Sequence, residues 1–164
     1  MNAGMFEFTH VERVVFGQPA AAALIVEAER LDAKRVFIIA SGTMNRTTDE
    51  VTRVRDALGT RFAGLFDSVP SHTPRDTVIE IARQARAAGT DLIVTFGGGS
   101  VTDAGKMLQL CLRHNVTEMD QLDAFRVKVT PDGKRTVPQY APPIVRQIAI
   151  PTTLSGGELQ PQGG

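Results

Sequence analysis

The chain has 164 residues, 42% of them hydrophobic, which is enough for the core of one compact domain. Lys plus Arg and Asp plus Glu both total 18, and this balance argues against a nucleic-acid or membrane-surface role. No apolar stretch is long enough to span a bilayer, and no secretory signal is visible. Cys111 is the single cysteine, so an internal disulfide is excluded and a cytoplasmic location is expected.

The chain alternates between strand and helix patterns. Residues 35–40 (RVFIIA) and 91–96 (DLIVTF) are continuous apolar runs typical of strands buried on both faces. The predicted elements are, in order, a strand or paired strands over 6–17 ending at Gly17, a helix over 19–33, a strand over 35–40, a turn over 41–43, a helix over 44–58, a strand over 61–66, a loop over 68–74, a helix over 75–88, a strand over 91–96, a helix over 100–115, a hairpin over 125–137 and a strand over 145–150.

This order predicts an α/β fold, in which a parallel sheet carries helices on both faces and the hairpin is an insertion. Such a Rossmann-like domain binds ligands at the carboxyl ends of its strands. Three loops are predicted at that edge: SGT (41–43), GGGS (97–100) and PTTLSGGE (151–158).

The GGGS loop joins a predicted strand to a predicted helix. The first N–H groups of a helix have no internal partner and carry the positive end of its dipole. Glycines let a phosphate approach these groups closely, so Gly97, Gly98, Gly99 and Ser100 are predicted to bind phosphate. A tight strand-to-helix turn without a ligand is the simpler alternative, and Ser100 could then merely cap the helix.

Asp103 falls in the first turn of the same helix. A direct phosphate contact is unfavourable for a carboxylate, so contact with a ribose or a nicotinamide amide is the functional interpretation. A favourable interaction with the helix dipole, or an ion pair with Lys106 at i+3, is the structural alternative.

The PTTLSGGE loop offers hydroxyls and two glycines. Thr152, Thr153 and Ser155 suit phosphate or ribose oxygens. The alternative is a helix cap in which Ser155 and Glu158 form a capping box.

The strand before SGT would reach the adenosine ribose. NAD specificity there usually comes from a carboxylate, whereas Ser41 is neutral and Arg46 is the nearest arginine, so NAD and NADP both stay open. His10, His72 and His114 lack metal-ligand spacing, and His72 is predicted to be a solvated loop residue. Cys111 lies in an apolar helical stretch and is predicted to be a buried, unreactive thiol. Neither a metal site nor a catalytic residue is assigned.

These motifs resemble the N-terminal half of the iron-containing alcohol dehydrogenase family. The family pattern G-G-G-S-x-x-D-x-[AG]-K appears as GGGSVTDAGK (97–106), and its P-T-T motif opens PTTLSGGE. The resemblance implies an NAD(P)-binding α/β domain and hydride transfer between nicotinamide and a small alcohol or carbonyl substrate. It places Gly98, Gly99, Ser100, Thr152 and Thr153 on the cofactor and Asp103 near it. It also implies iron or zinc in full-length members, with ligands outside this chain.

Two branches of the family fit different features. The PTT motif is one residue shorter than the dehydrogenase form P-T-T-x-G-T-G-S-E. The shorter form, with SHTP (71–74) and the pair Gly105-Lys106, is similar to maleylacetate reductases, whereas SVTDAGK is closer to metal-dependent dehydrogenases. The branch stays open at this point.

The domain organisation follows from the resemblance. Residues 1–158 are expected to form the NAD(P)-binding domain and 159–164 a polar tail, without the helical metal and substrate domain that gives family members about twice this length. A homodimer could form through the N-terminal strand. A dehydroquinate synthase-like non-redox enzyme and a non-catalytic nucleotide-binding fragment are the further alternatives.

Overall fold

A computed structural model describes residues 11–160. The strands are β1 (Val36–Ala40), β2 (Phe62–Phe66), β3 (Leu92–Gly97), β4 (Lys128–Val129), β5 (Arg135–Thr136) and β6 (Arg146–Pro151). The α-helices are α1 (Ala20–Arg30), α2 (Gly42–Thr47), α3 (Glu50–Leu58), α4 (Arg75–Ala87) and α5 (Gly99–His114). Short 3₁₀ helices span Gly59–Arg61, Met119–Phe125 and Gly157–Leu159.

The centre of the fold is a parallel sheet in the order β2-β1-β3-β6. Strands β4 and β5 form a separate antiparallel hairpin, as predicted. Its turn contains Gly133 at φ 81°, a value that glycine adopts without a steric penalty. The predicted α/β class is confirmed. Within residues 11–160 no helix has the length and apolar character of a membrane span.

Alternate residues of the central strands pack against opposite layers of helices. Phe37, Ile39 and Ile93 join one core with α4 and α5. Ile38 and Val94, one residue further along their strands, join a second core with α1 and α3. Because successive side chains of a strand point to opposite faces, a strand between two helical layers buries its side chains on both faces and is largely apolar. All residues of β1 and β3 are buried, as the continuous apolar runs predict.

The helix predicted over 44–58 is wrong in one respect: it is two helices. α2 ends at Thr47, and Thr48 takes an extended conformation before α3 begins. The hydroxyls of Thr47 and Thr48 each donate to the carbonyl oxygen four residues earlier, both at 2.8 Å. Such side-chain bonds compete with the regular helical pattern. The turn predicted over 41–43 is also wrong, because α2 already begins at Gly42.

The predicted N-terminal strand lies partly outside the described residues. Residues 6–10 are not described, and residues 11–17 form no strand. Ion pairs hold this segment instead: Glu12 contacts Arg30 and Arg146, and Arg13 contacts Glu27. Hydrogen bonds from Arg30 and Arg13 hold the pKa of Glu27 below its usual value.

Helix α5 lies close to the sheet because Gly105 has no side chain. A Cβ at this position would come within 2.5 Å of Thr95 Cγ2 and 2.6 Å of Gln147 Nε2. The Gln147 side-chain amide occupies the space that a Cβ on Gly105 would need. It donates to Thr95 Oγ1 at 2.9 Å and to the Thr102 carbonyl at 3.2 Å. These bonds tie β6, β3 and α5 together and satisfy Thr95, which is fully buried.

We therefore expect Gly105→Ala to lower the free energy of unfolding by about 1–3 kcal/mol, because the added methyl group overpacks this contact. Gly157→Ala is a matched control, since the nearest atom to its new Cβ would lie at an ordinary 3.6 Å. Urea denaturation of both variants measures the difference. Equal stabilities of the two variants would contradict the close-packing role of Gly105.

Candidate functional site

The strand register brings the ends of three predicted loops together. Ala40 pairs with Phe96, and Gly97 pairs with Pro151, so β1, β3 and β6 end at one edge. The backbone hydrogen-bond ladder continues beyond the strands for one further bond on either side of β3. Ser41 N donates to the Phe96 carbonyl at 2.8 Å, and Thr152 N donates to the Gly97 carbonyl at 3.0 Å.

A cleft of about 450 Å³ opens beside this edge. Strand β1 is followed in the chain by its neighbour on one side, β2, and the chain then crosses to its neighbour on the other side, β3. Ligands of open α/β sheets bind at such a switch point. The lining residues are Ser41, Gly42, Thr43, Arg46, Asp67, Ser68, Val69, Pro70, Ser71, Gly98, Gly99, Ser100 and Val101.

Two glycines of the GGGS loop accommodate the PTTLSGGE loop. A Cβ on Gly98 would lie 3.0 Å from Thr153 Cγ2 and 3.1 Å from its hydroxyl oxygen. A Cβ on Gly99 would lie 3.3 Å from Ser155 Oγ. The bare backbone therefore lets the two loops pack directly on one another. This contact places the hydroxyls of Thr153 and Ser155 beside the first residues of α5.

Ser100 contacts the loop that contains SHTP (71–74). Its hydroxyl oxygen accepts a hydrogen bond from His72 N at 3.3 Å, and its carbonyl accepts one from Thr73 Oγ1 at 2.9 Å. His72 and Thr73 have φ values of 65° and 45°, a region that a β-branched residue rarely adopts. Ser100 thus holds a strained segment against the start of α5, and its hydroxyl hydrogen is not used in either contact.

The other predicted site residues lie further from the cleft. Asp103 is one turn into α5 and forms the i+3 ion pair with Lys106 at 3.0 Å, the structural alternative of the sequence analysis. Thr152, Thr153 and Ser155 are exposed and are not among the lining residues. Glu158 makes no capping box with Ser155, because Gly156 occupies the cap position of the short helix that follows.

Residues 67–71 form a side of the cleft that no sequence motif indicates. This segment follows β2, so its place at the carboxyl edge was available from the strand order alone. It brings Asp67, whose carboxylate accepts hydrogen bonds from Asn45 Nδ2 at 2.6 Å and from Ser68 Oγ at 3.2 Å. Arg46 was noted only as the nearest arginine, and it lies on the cleft wall.

The described residues do not offer a ligand set for iron. Across residues 11–160, no three His, Cys, Asp or Glu side chains cluster as a metal site requires. His72 is exposed, as predicted, and His114 packs its ring 4.6 Å from that of Phe125. His10 lies outside the described residues.

The open parallel sheet with a polar cleft at its switch point defines a Rossmann-like α/β protein. The family model for iron-containing alcohol dehydrogenase matches residues 11–161. The chain belongs to the iron-containing alcohol dehydrogenase family.

The curated relatives include a maleylacetate reductase and a dehydrogenase. The chain is 35% identical to a maleylacetate reductase of Burkholderia cepacia, over 96% of this chain and 48% of that protein. It is 32% identical to dehydrogenase FUM7 of Gibberella moniliformis, over 92% of this chain and 36% of that protein. The chain thus spans between a third and a half of the length of these relatives.

Solved structures confirm the fold. An iron-containing alcohol dehydrogenase from Thermococcus thioreducens has a TM-score of 0.69 at 25% identity, covering 86% of this chain and 35% of that one. A maleylacetate reductase from Agrobacterium tumefaciens has a TM-score of 0.58 at 26% identity, covering 90% of this chain and 43% of that one. A sulfoacetaldehyde reductase from Bifidobacterium kashiwanohense, solved with NAD⁺, is 20% identical over 84% of this chain and 33% of that one, with a TM-score of 0.64, and supports the fold alone.

Cys111 is not a nucleophile of this site. The thiol lies inside the core between α5 and α4, where it is fully buried. Burial raises its pKa to about 11, because the thiolate loses its hydration.

We expect Cys111 in the folded protein to react with a thiol reagent such as dithionitrobenzoate at least about 100-fold more slowly than in urea, since reaction needs an exposed thiolate. Absorbance at neutral pH follows the reaction, and a free cysteine under the same conditions calibrates it. Rapid reaction of the folded protein would contradict the buried position.

Proposed function

We propose that this chain is the cofactor-binding part of an NAD(P)-dependent oxidoreductase. The full enzyme transfers a hydride between the nicotinamide and a small alcohol or carbonyl compound. Membership of the iron-containing alcohol dehydrogenase family supports this class of reaction. The observation that carries the proposal is the juxtaposition of Gly98, Gly99 and Ser100 at the start of α5 with a cleft at the switch point.

The residues present fit a dinucleotide. The start of the 16-residue helix α5 lies on the cleft wall, where its first N–H groups favour a phosphate. Gly98 and Gly99 add no side chain to this wall, and the Ser100 hydroxyl can donate while it accepts from His72 N. Thr153 and Ser155 offer further hydroxyls next to the glycines. Gly97 and Thr152 fix the two loops through their backbone bond.

When bound, the nicotinamide supplies the hydride donor or acceptor, and the protein supplies orientation. In the proposed division of roles, the start of α5 anchors the phosphates, and the loop over 71–74 closes the cleft beside them. Ser41 also lines the cleft, and the adenosine end is proposed to bind beside it. Asp103 near a ribose or the nicotinamide amide stays a prediction.

The metal and the substrate belong to a second part of this proposal. Residues 11–160 hold no cluster of metal ligands, so none of them is proposed to bind iron or zinc. We propose that a helical domain outside residues 1–158 provides the metal and substrate contacts in full-length proteins of this kind, and that this chain binds nucleotide without turnover. A cytoplasmic location remains a prediction.

Maleylacetate reductase activity is the second candidate for the full protein. The support is the 35% identity to the Burkholderia cepacia maleylacetate reductase. The substrate would then be an unsaturated oxo-diacid, whose two carboxylates need cationic partners.

Calorimetric titration with NADH and NADPH tests the cofactor assignment, and we expect at least one to bind. Ser100→Asp should weaken that binding about tenfold or more, because a carboxylate at the cleft wall repels phosphate. The fold should be retained, since aspartate in the first turn of a helix interacts favourably with the helix dipole.

Two controls accompany this variant. Ser100→Ala adds no charge and should weaken binding less than Ser100→Asp. Thr136→Asp adds the same charge in the exposed hairpin and should leave binding unchanged. If neither cofactor binds the parent chain, or if Ser100→Asp binds as the parent does, the phosphate site at the start of α5 is wrong.

We further propose a homodimer that involves the N-terminal segment. Val14 is 69% exposed and Phe16 is 88% exposed, so two apolar side chains of this segment are largely accessible to solvent. Phe16→Asp should shift the sedimentation coefficient from dimer to monomer, whereas Val129→Asp, at the exposed hairpin, should not. A monomeric parent chain at micromolar concentration would refute the dimer.

A further inference from the structure

Arg46 lies over the ends of two strands because Gly42 leaves space for it. The two residues are four positions apart on α2, and helical side chains point back toward the N-terminus. A Cβ on Gly42 would lie 2.9 Å from Arg46 Nη1 and 2.4 Å from the Asp67 carbonyl oxygen. The guanidinium therefore occupies the cleft wall beside the positions where β1 and β2 end.

Arg46 differs from most other arginines in having no protein partner. Among residues 11–160 its guanidinium makes no hydrogen bond and no ion pair, whereas eleven others make at least one: Arg13, Arg30, Arg35, Arg53, Arg55, Arg61, Arg75, Arg83, Arg86, Arg126 and Arg146. Its five N–H donors are available to a ligand in the cleft.

The charges around Arg46 favour an anion over a ribose hydroxyl. Arg46 and Asp67 are the charged residues among those that line the cleft. The Asp67 carboxylate already accepts bonds from Asn45 and Ser68, one on each oxygen. Ser41, which follows β1, is neutral, so Asp67 is the carboxylate among the lining residues.

We propose that Arg46 binds the 2′-phosphate of NADP(H) and gives this chain a preference for that cofactor over NAD(H). A phosphate monoester carries close to two negative charges at neutral pH, and the planar guanidinium can bind two of its oxygens at once. This inference rests on the proposed function. NADH and NADPH differ only in the 2′-phosphate, so their comparison isolates this contact.

The experiment measures the dissociation constants of NADH and NADPH by nicotinamide fluorescence. The parent chain should bind NADPH about tenfold or more tightly than NADH, a ratio typical of one charge-assisted contact. Arg46→Gln should raise the dissociation constant for NADPH about tenfold or more. It should leave the dissociation constant for NADH within about twofold of the parent value. Arg46→Lys keeps the positive charge but lacks the planar guanidinium that can bind two oxygens at once. Its dissociation constant for NADPH should lie between those of the parent chain and of Arg46→Gln.

Arg113→Gln is the matched control, because Arg113 is exposed on α5 and outside the cleft. It should change neither constant. Ser41→Asp should lower the NADPH affinity, because a carboxylate there repels the 2′-phosphate. Thermal melts of all four variants confirm that the fold is retained.

Three results would overturn the proposal. They are a parent chain that prefers NADH, an Arg46→Gln variant that loses both cofactors equally, and one that loses neither. Equal loss would show that Arg46 contacts a group common to both cofactors. Binding of NADH by the parent chain keeps the proposed function intact in each of these cases, whereas failure of both cofactors would remove the proposed function itself.

Discussion

The candidate site depends on the parallel ladder that aligns the carboxyl ends of β1, β3 and β6. Two backbone bonds beyond the strands, from Ser41 N to Phe96 and from Thr152 N to Gly97, extend this alignment into the loops. This register brings the loops after β1, β3 and β6 together, although these three loops begin more than fifty positions apart in the chain. The two apolar layers around β1 and β3 hold the ladder in place.

The close approach of the helix to this ladder is the second constraint. Gly105 lets α5 lie against Thr95 and Gln147, and Gly98 and Gly99 let the next loop lie against the start of α5. Each glycine therefore removes a Cβ from a contact between protein segments. Gly98 and Gly99 suggest a phosphate site in the sequence. In the structure, the absence of their side chains also lets the two loops pack together and form the site. Phosphate binding and internal packing are compatible roles of one feature.

Hydrophobic patterns predicted most of the fold because burial on both faces leaves an unmistakable run, as in residues 35–40 and 91–96. The break between α2 and α3 was not predictable from the spacing of Val51, Val54 and Leu58, since those positions keep one helical period and the break depends on threonine hydroxyls. The segment over 11–17 illustrates the opposite case. Its alternation resembles a strand, but strand formation needs a partner, and within residues 11–160 ion pairs hold it instead.

Sequence motifs predict two loops of the site, whereas the rest of the cleft follows from the order of the strands. Glycines and hydroxyls identify GGGS and PTTLSGGE in the sequence, whereas the cleft also depends on residues 67–71 and on Arg46, which carry no motif. Their contribution comes from topology: β2 and β3 lie on opposite sides of β1, so the residues that follow these strands form the walls of one cleft. The start of the long helix α5 and Arg46 of α2, which follows β1, both line this cleft. A helix N-terminus and a guanidinium both favour phosphate oxygens, so a ligand that carries more than one phosphate group fits this cleft better than a ligand that carries none.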